Sequence, residues 1–335
     1  MRINKKLRKG AETSSSRIFF PFALLVVLLL IVTTNTNIRE FSSMSSKQQL
    51  RRSDDDFAVA KKESLGFFDD ISSHHWELLK KKVSDMAPNF SDWGMKDVRN
   101  GKMEWFYQAH FEPEFLCPYE RRIGRDGDGG KWICDPHRIA QKAASDGGGC
   151  LVYSVGSNND FSFEMSVHEQ ISEHCEIHTF DFGDYSQGAK EIGDYITYHQ
   201  VGVGEDQPPR FKSVKTLVKE LGHENRVIDI FKIDCEGCEW QTAKHWFEAP
   251  MTLRQIQVEL HFKSTPAQNA EFFDLMYEND YVVFHKEANI AYPGAIEYAF
   301  LKLSPEFSKD IVRTKAIDAL PHYHKPNWKP QSWES

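Results

Sequence analysis

Beyond Gly149 the chain alternates short apolar runs with amphipathic stretches. The runs CLVYSVG (150–156), IHTFD (177–181), ITYHQVGVG (196–204), VIDIFKID (227–234) and LRQIQVEL (253–260) are nearly continuous in apolar character, which marks strands covered on both faces of a parallel sheet. Helical periodicity falls between them. In FKSVKTLVKELG, Val214, Leu217, Val218 and Leu221 share one face, lysines take the other, and Gly222 supplies a stop. Phe163, Val167 and Ile171 recur every four residues, and the stretch 266–280 opens on Pro266, which suits a first helical turn. This alternation predicts a doubly wound α/β sheet. YVVFHK (281–286) and IEYAFLKL (296–303), joined by a loop containing Pro293 and Gly294, predict an antiparallel hairpin at one edge.

The N-terminal part has a different pattern. Residues 1–17 form a basic tail, and 18–34, IFFPFALLVVLLLIVTT, carry no charge. That run reaches the lower limit of ~17 residues for crossing a bilayer. The basic flank precedes it, so the positive-inside rule predicts a cytosolic tail and a single-pass type II signal anchor. A cleaved signal peptide is the rival reading, and both place the rest of the chain in the secretory lumen, Golgi or ER, or outside the cell. Residues 35–65 read as a solvated stem. The aromatic-rich segment 66–145 reads as a flank packed on the core, 146–305 as the main domain and 306–335 as a tail.

Composition narrows the function. A formal net charge of −8 argues against a nucleic-acid partner bound through phosphate neutralisation. Six cysteines are an even number for a disulfide-permitting compartment, with Cys117 and Cys134 the first candidate pair because they flank one Gly-rich loop. Their connectivity stays open. Asn89-Phe90-Ser91 is an N-glycosylation acceptor.

In a doubly wound sheet, ligands sit beyond the carboxyl ends of the strands. After the first strand come Gly156, Ser157, Asn158 and Asn159, a glycine turn with polar neighbours that lacks the further glycines of a dinucleotide fingerprint. After the second comes Asp181, placed to accept hydrogen bonds from ribose hydroxyls. A nucleoside without a pyrophosphate satisfies both, and S-adenosylmethionine is the common one. The fourth strand ends in FKIDCEGCEW (231–240), where Asp234, Glu236 and Glu239 surround Cys235 and Cys238. One C-x-x-C is too small a ligand set for zinc, and His245 lacks a fourth partner, so no metal site is expected. A local disulfide is a further possibility.

The succession YSVGSNNDFSFE, HTFDFGD, HQVGVG, IFKIDCEGCEW and IQVELH, with RRIGRDGDGGKWIC before it, resembles the S-adenosylmethionine-dependent methyltransferases of the FkbM type, especially their membrane-anchored, methyltransferase-like eukaryotic relatives. The resemblance covers roughly residues 117–303. It departs from the family at the glycine turn, which reads VGSNND in place of a G-A-N-x-G pattern. It implies a class I methyltransferase fold of seven strands, S-adenosylmethionine as cofactor, and methyl transfer to a hydroxyl of a glycan or small molecule. Asp234, also beside the cofactor, is the leading candidate for base or acceptor orienter, and His261 the second, with Glu259 as its partner. Glu236 serves either the site or the start of the next helix, while Glu239 is expected to serve the helix. Lys232 is expected to pair with a neighbouring carboxylate, and Cys235 and Cys238 take positions the family fills with small packing residues. Two other readings stand beside this one: a type II Golgi glycosyltransferase using the D-x-D triplet Asp126-Gly127-Asp128, and a non-catalytic binding protein on the same fold.

Overall fold

The computed structural model describes residues 54–86, 107–108, 110–145, 149–290 and 292–318. The apolar run 18–34 and Asn89 lie outside them. Among the described residues no helix is long and apolar enough to cross a membrane. The chain divides into two compact units, Met1–Asp55 and Asp56–Ser335, and the description concerns the second.

Helix α1 (Asp55–Glu63) occupies part of the stretch read as a stem, and Ala60 and Glu63 are buried there. Helix α2 (Ser73–Met86) follows, then the strands β1 (Glu120–Ile123) and β2 (Lys131–Cys134) and helix α3 (Pro136–Ala144). The repeating units are β3 (Cys150–Val155), α4 (Ser162–Gln170), β4 (Cys175–Asp181), α5 (Ser186–Ile192) and β5 (Ile196–Gln200). Two short strands, β6 (Gly202–Val203) and β7 (Phe211–Lys212), lead into α6 (Val214–Glu220), and β8 (Val227–Ile228) into β9 (Ile230–Ile233). Helix α7 (Glu239–Trp246), β10 (Thr252–Leu253), β11 (Gln255–His261), α8 (Pro266–Glu278), β12 (Tyr281–Ala288), β13 (Ala295–Lys302) and α9 (Pro305–Ser308) complete it.

Seven strands form one sheet in the order β12-β13-β11-β9-β3-β4-β5. The five from β11 to β5 are parallel, and the β12–β13 pair is the antiparallel edge hairpin that the apolar pattern predicts. Three expected strands are broken, LRQIQVEL at Arg254, which separates Leu253 in β10 from β11. VIDIFKID is interrupted at Asp229, whose carboxylate accepts the Leu151 amide at 3.1 Å and the Lys142 ammonium at 2.7 Å instead of facing an apolar layer. ITYHQVGVG turns after Gln200, and Gly202 and Val203 pair with Phe211 and Lys212 in a separate ribbon.

Each face of the sheet is covered. Val214, Leu217 and Val218 of α6, Trp246 of α7 and Phe272 and Phe273 of α8 pack on one side with Phe231 and Ile256. Ile139, Phe163 and Val167 cover the other. Helix α8 starts on a capping box between Thr265 and Gln268. The flank joins the core at the hairpin edge, where Phe68, Trp76 and Phe115 meet Val282, Phe284 and Leu301. All six cysteines are paired, Cys117–Cys134, Cys150–Cys175 and Cys235–Cys238. Cys235 and Cys238 are therefore not the simple packing residues the resemblance implies.

Candidate active site

The chain runs β3 to β5 toward one edge of the sheet and then returns past β3 to build β9 and β11 on the other side. At that reversal the ends of β3, β4, β9 and β11 open a cavity of about 1070 Å³. Gly156, Ser157, Asn158, Asp181, Asp234, Glu236, Glu259 and His261 line it. Asn159 does not: its side-chain oxygen lies beside Gly188 of α5, 2.2 Å from where a β-carbon on that glycine would sit.

The glycine turn is drawn hard against the end of β9. Gly156 has φ +80°, and a β-carbon there would lie 1.7 Å from the Asp234 carbonyl oxygen. Only glycine fits. Lys232, inside β9, donates to the Gly156 carbonyl at 2.5 Å and so pins the turn; the expected carboxylate partner is replaced by a backbone one. Asp181 fastens the same turn from β4. One carboxylate oxygen accepts the amides of Ser157 at 2.8 Å and Asn158 at 2.9 Å, and the other accepts Gly183 at 2.9 Å. Much of the hydrogen-bonding capacity that sequence assigns to a ribose is thus already used in shaping the turn, with one lone pair of the second oxygen left over. Phe182, more than half exposed, adds a flat apolar surface at the rim.

The acidic half of the cavity is built across the sheet. In the antiparallel register Glu259 of β11 faces Glu297 of β13. Two carboxylates in that position repel each other unless a cation joins them. Lys131 is that cation. The hairpin β1–β2 carries it in, tied down by the Cys117–Cys134 disulfide and by Gln255, whose amide bonds both the Cys134 amide and carbonyl at 2.8 Å. Its ammonium binds Glu297 and lies 3.6 Å from Glu259 and 4.0 Å from Asp234. Burial alone would lower the Lys131 pKa, but Glu297, Asp234 and Glu259 outweigh it and hold the group above the usual lysine range.

One lysine cannot balance three carboxylates. Burial, then the charges of Glu297 and Asp234, pushes Glu259 up to about 9, so it keeps its proton at neutral pH and donates it to Asp234. Burial works the same way on Asp234, yet Lys131, Lys232, the Glu259 hydrogen bond and His261 together hold it below the ordinary carboxyl range. Burial also raises Glu297, against the pull of Lys131. The cavity therefore presents one ionised carboxylate beside one neutral carboxylic acid, two roles set by environment. Asn289 joins them, donating to Glu259 at 2.8 Å and to Asp128 at 3.3 Å.

His261 does not use Glu259 as its partner. Its Nδ1 lies 3.2 Å from Glu239 and its Nε2 3.4 Å from Glu236. Burial would lower its pKa, but the hydrogen bond and charge of Glu239, then Asp234 and Glu259, lift it to about 9. That shift favours its protonated form at neutral pH. Glu239, expected to serve only its helix, is fully buried and also accepts the Cys235 amide at 3.2 Å. The disulfide Cys235–Cys238 closes the same turn, in which Glu236 takes φ +58° and Gly237 φ +107°.

The D-x-D triplet sits at the tip of the β1–β2 hairpin. Asp128 reaches the cavity while Asp126 is absent from its lining. Asp128, Asp234 and Glu259 bring ligand-type oxygens within 4.8 Å of one another, as do Asp234, Glu239 and His261. In the first set Lys131 already lies 3.6 Å from Glu259 and 4.0 Å from Asp234, and the second includes His261. Lys131, Glu297 and Asn289 were not singled out by sequence reading, although a glutamate in the apolar run IEYAFLKL was the available signal.

A methyltransferase-domain family profile matches residues 58–302, well over half of the chain. The chain belongs to that methyltransferase family. Solved structures with similar folds include TrmK of M. capricolum in complex with S-adenosyl-homocysteine, 12% identical, covering 49% of this chain and 67% of that one, TM-score 0.33. An rRNA methylase from Streptococcus thermophilus is 10% identical over 51% of this chain and 96% of its own, TM-score 0.34. A didemethyltoxoflavin N1-methyltransferase of Burkholderia thailandensis is 13% identical, with 51% and 79% covered and TM-score 0.31. No curated protein matches. The methyltransferase has the class I fold and uses S-adenosylmethionine. Its residues fit that cofactor: the glycine cradle closed by Asp234, the polar groups of Ser157 and Asn158, and the flat surface of Phe182 all border one cavity. The glycosyltransferase reading falls with the family assignment.

Proposed function

We propose that the methyltransferase O-methylates a hydroxyl of a glycan or small alcohol, with Asp234 taking the hydroxyl proton. The observation that carries this is Asp234 at the end of β9, its carboxyl open to the cavity and 4.0 Å from the Lys131 ammonium, whose charge helps hold it below the ordinary carboxyl range. S-adenosylmethionine supplies an activated methyl group, so the protein's tasks are alignment and proton removal. A carboxylate of depressed pKa suffices, because the hydroxyl becomes an oxonium, far more acidic than any carboxyl, as the new C–O bond forms. The neutral Glu259 and Asn289 beside it can orient a hydroxyl-bearing acceptor. An amine fits less well, since a site rich in carboxylates favours the ammonium form, which has no lone pair to methylate.

The subgroup and location belong to the same proposal. The resemblance to FkbM-type proteins and the apolar run 18–34 after a basic tail favour a type II anchored enzyme acting in the lumen of the Golgi or ER. The test is to incubate the enzyme with labelled S-adenosylmethionine and extracted glycans or alcohols and to identify the product by mass. Asp234→Asn is expected to lower turnover by about 10²–10⁴-fold while cofactor binding persists. A wild-type protein that binds S-adenosylmethionine but methylates nothing would establish the non-catalytic reading. Label appearing on nitrogen would overturn the hydroxyl assignment.

A further inference from the structure

Toward the opposite end of β4, the fold assembles a second group of chemistry-bearing side chains. Glu176 and His178 are alternate residues of β4 and so share one face of it. His199 comes from β5, Tyr153 from β3, and His223 and Arg226 from the turn after α6. His178 Nε2 and His223 Nε2 lie 2.9 Å and 3.0 Å from the same atom, Oε1 of Glu176. All three ligand-type atoms fall within 4.8 Å of one another.

The far side of each of these groups is already held. Nδ1 of His178 lies 2.9 Å from His199 Nε2, Nδ1 of His223 lies 2.7 Å from the Tyr153 hydroxyl, and the second oxygen of Glu176 accepts from Arg226 at 2.7 Å. Metal-binding histidines characteristically have their second ring nitrogen fixed in this way, which sets both tautomer and ring orientation. Two imidazoles and one carboxylate are a donor set suited to zinc, whose fourth position is filled by water.

We propose that Glu176, His178 and His223 bind one divalent transition-metal ion, of the zinc class, at a site separate from the methyl-transfer cavity. Coordination uses the Nε2 lone pairs, with each ring proton on Nδ1, where His199 Nε2 and the Tyr153 oxygen accept it; three imidazole tautomers change, those of His178, His223 and His199, and no proton leaves. The two histidines are buried, and the Glu176 side chain, 42% exposed, gives the ion and its water a way in. Glu176 lies five residues before Asp181, on the order of 16 Å along an extended strand. At that distance the ion touches no reacting atom. Its effect is to join β4 to the turn between α6 and β8.

The experiment uses the untagged full-length chain, stripped with a chelator and dialysed against Zn²⁺ or Co²⁺, with bound metal measured by plasma mass spectrometry and the Co²⁺ form by its visible spectrum. One equivalent is expected in the wild type and in Asp234→Asn, and none in His223→Gln or Glu176→Gln, with circular dichroism confirming the fold. Tyr153→Phe, which loses only the outer hydrogen bond, is expected to weaken Co²⁺ binding about 10-fold or more. No bound metal in the wild type, or an equivalent that survives His223→Gln and Glu176→Gln but disappears in Asp234→Asn, would overturn the proposal. Should one of the two ligand variants not fold, the other and Tyr153→Phe decide.

Discussion

The shared proton between Glu259 and Asp234 gives a quantitative prediction that needs no knowledge of the acceptor. Glu259 carries a folded-state pKa of about 9 against an ordinary value of 4.5. A carboxyl raised on folding stabilises the native state fully below its unfolded pKa, and that contribution is lost as pH rises through the folded pKa. The window is therefore about 4.5 to 9. Within it Glu259 holds in the folded protein a proton that it has released in the unfolded chain, and its contribution to stability falls by about 1.4 kcal/mol per pH unit. Between pH 5.5 and 8.5 this amounts to about 4 kcal/mol. Glu259→Gln has nearly the same shape, keeps a donor toward Asp234 and has nothing to titrate. Urea unfolding of both proteins across that range gives the difference, which reports Glu259 together with the titration of Asp234 and Glu297 that it is linked to. The wild type is expected to lose stability relative to Glu259→Gln by several kcal/mol from pH 5.5 to 8.5. A difference that stays constant with pH would show that Glu259 is already ionised, and the acid–carboxylate pair would have to be abandoned.

Three further changes probe the same site. Lys131→Met removes the cation from between Glu259, Glu297 and Asp234, and because its side chain is 1% exposed the cost is expected at about 3–5 kcal/mol in urea unfolding. Gly156→Ala forces a β-carbon toward the Asp234 carbonyl at positive φ, and calorimetry is expected to show S-adenosylmethionine affinity reduced by about 10-fold or more, roughly 1.4 kcal/mol. Unchanged affinity would mean the turn does not form the cradle. Asp234→Asn is expected to separate binding from turnover, preserving the first and losing the second.

The sheet was legible in the sequence because its strands are covered on both faces, leaving five apolar runs with little to confuse them. The strand ends were legible for the same reason: once β3, β4, β9 and β11 are placed, Gly156, Asp181, Asp234 and His261 necessarily fall at one edge. The partnerships were not. His261 and Glu259 are alternate residues of one strand, but it is Glu239, from the helix that follows the turn after β9, that lies 3.2 Å from the His261 ring. Lys131 was hidden in a stretch so rich in glycine and charge that it reads as loop. Its strands are only four residues long, and β1 is largely exposed.

The pairing of Glu259 with Glu297 explains why that hairpin is there. A parallel sheet closed by an antiparallel edge would normally place uncharged residues at this register, since two opposed glutamates cost stability. Here the cost is offset by an element from outside the sheet, fixed by the Cys117–Cys134 disulfide, by Gln255 and by the Arg122–Glu287 ion pair at 3.1 Å. The residual imbalance, three carboxylates against one ammonium, is what keeps Glu259 protonated and lets Asp234 stay ionised beside it. Stability and chemistry are thus linked through Lys131. If the hairpin serves only to stabilise the edge, a volume-matched apolar triple substitution, Lys131→Met with Glu259→Leu and Glu297→Leu, restores folding and S-adenosylmethionine binding together with turnover. The expected result is recovery of folding and binding without methyl transfer, because Asp234 then lacks both the acid that orients it and the cation that keeps it charged.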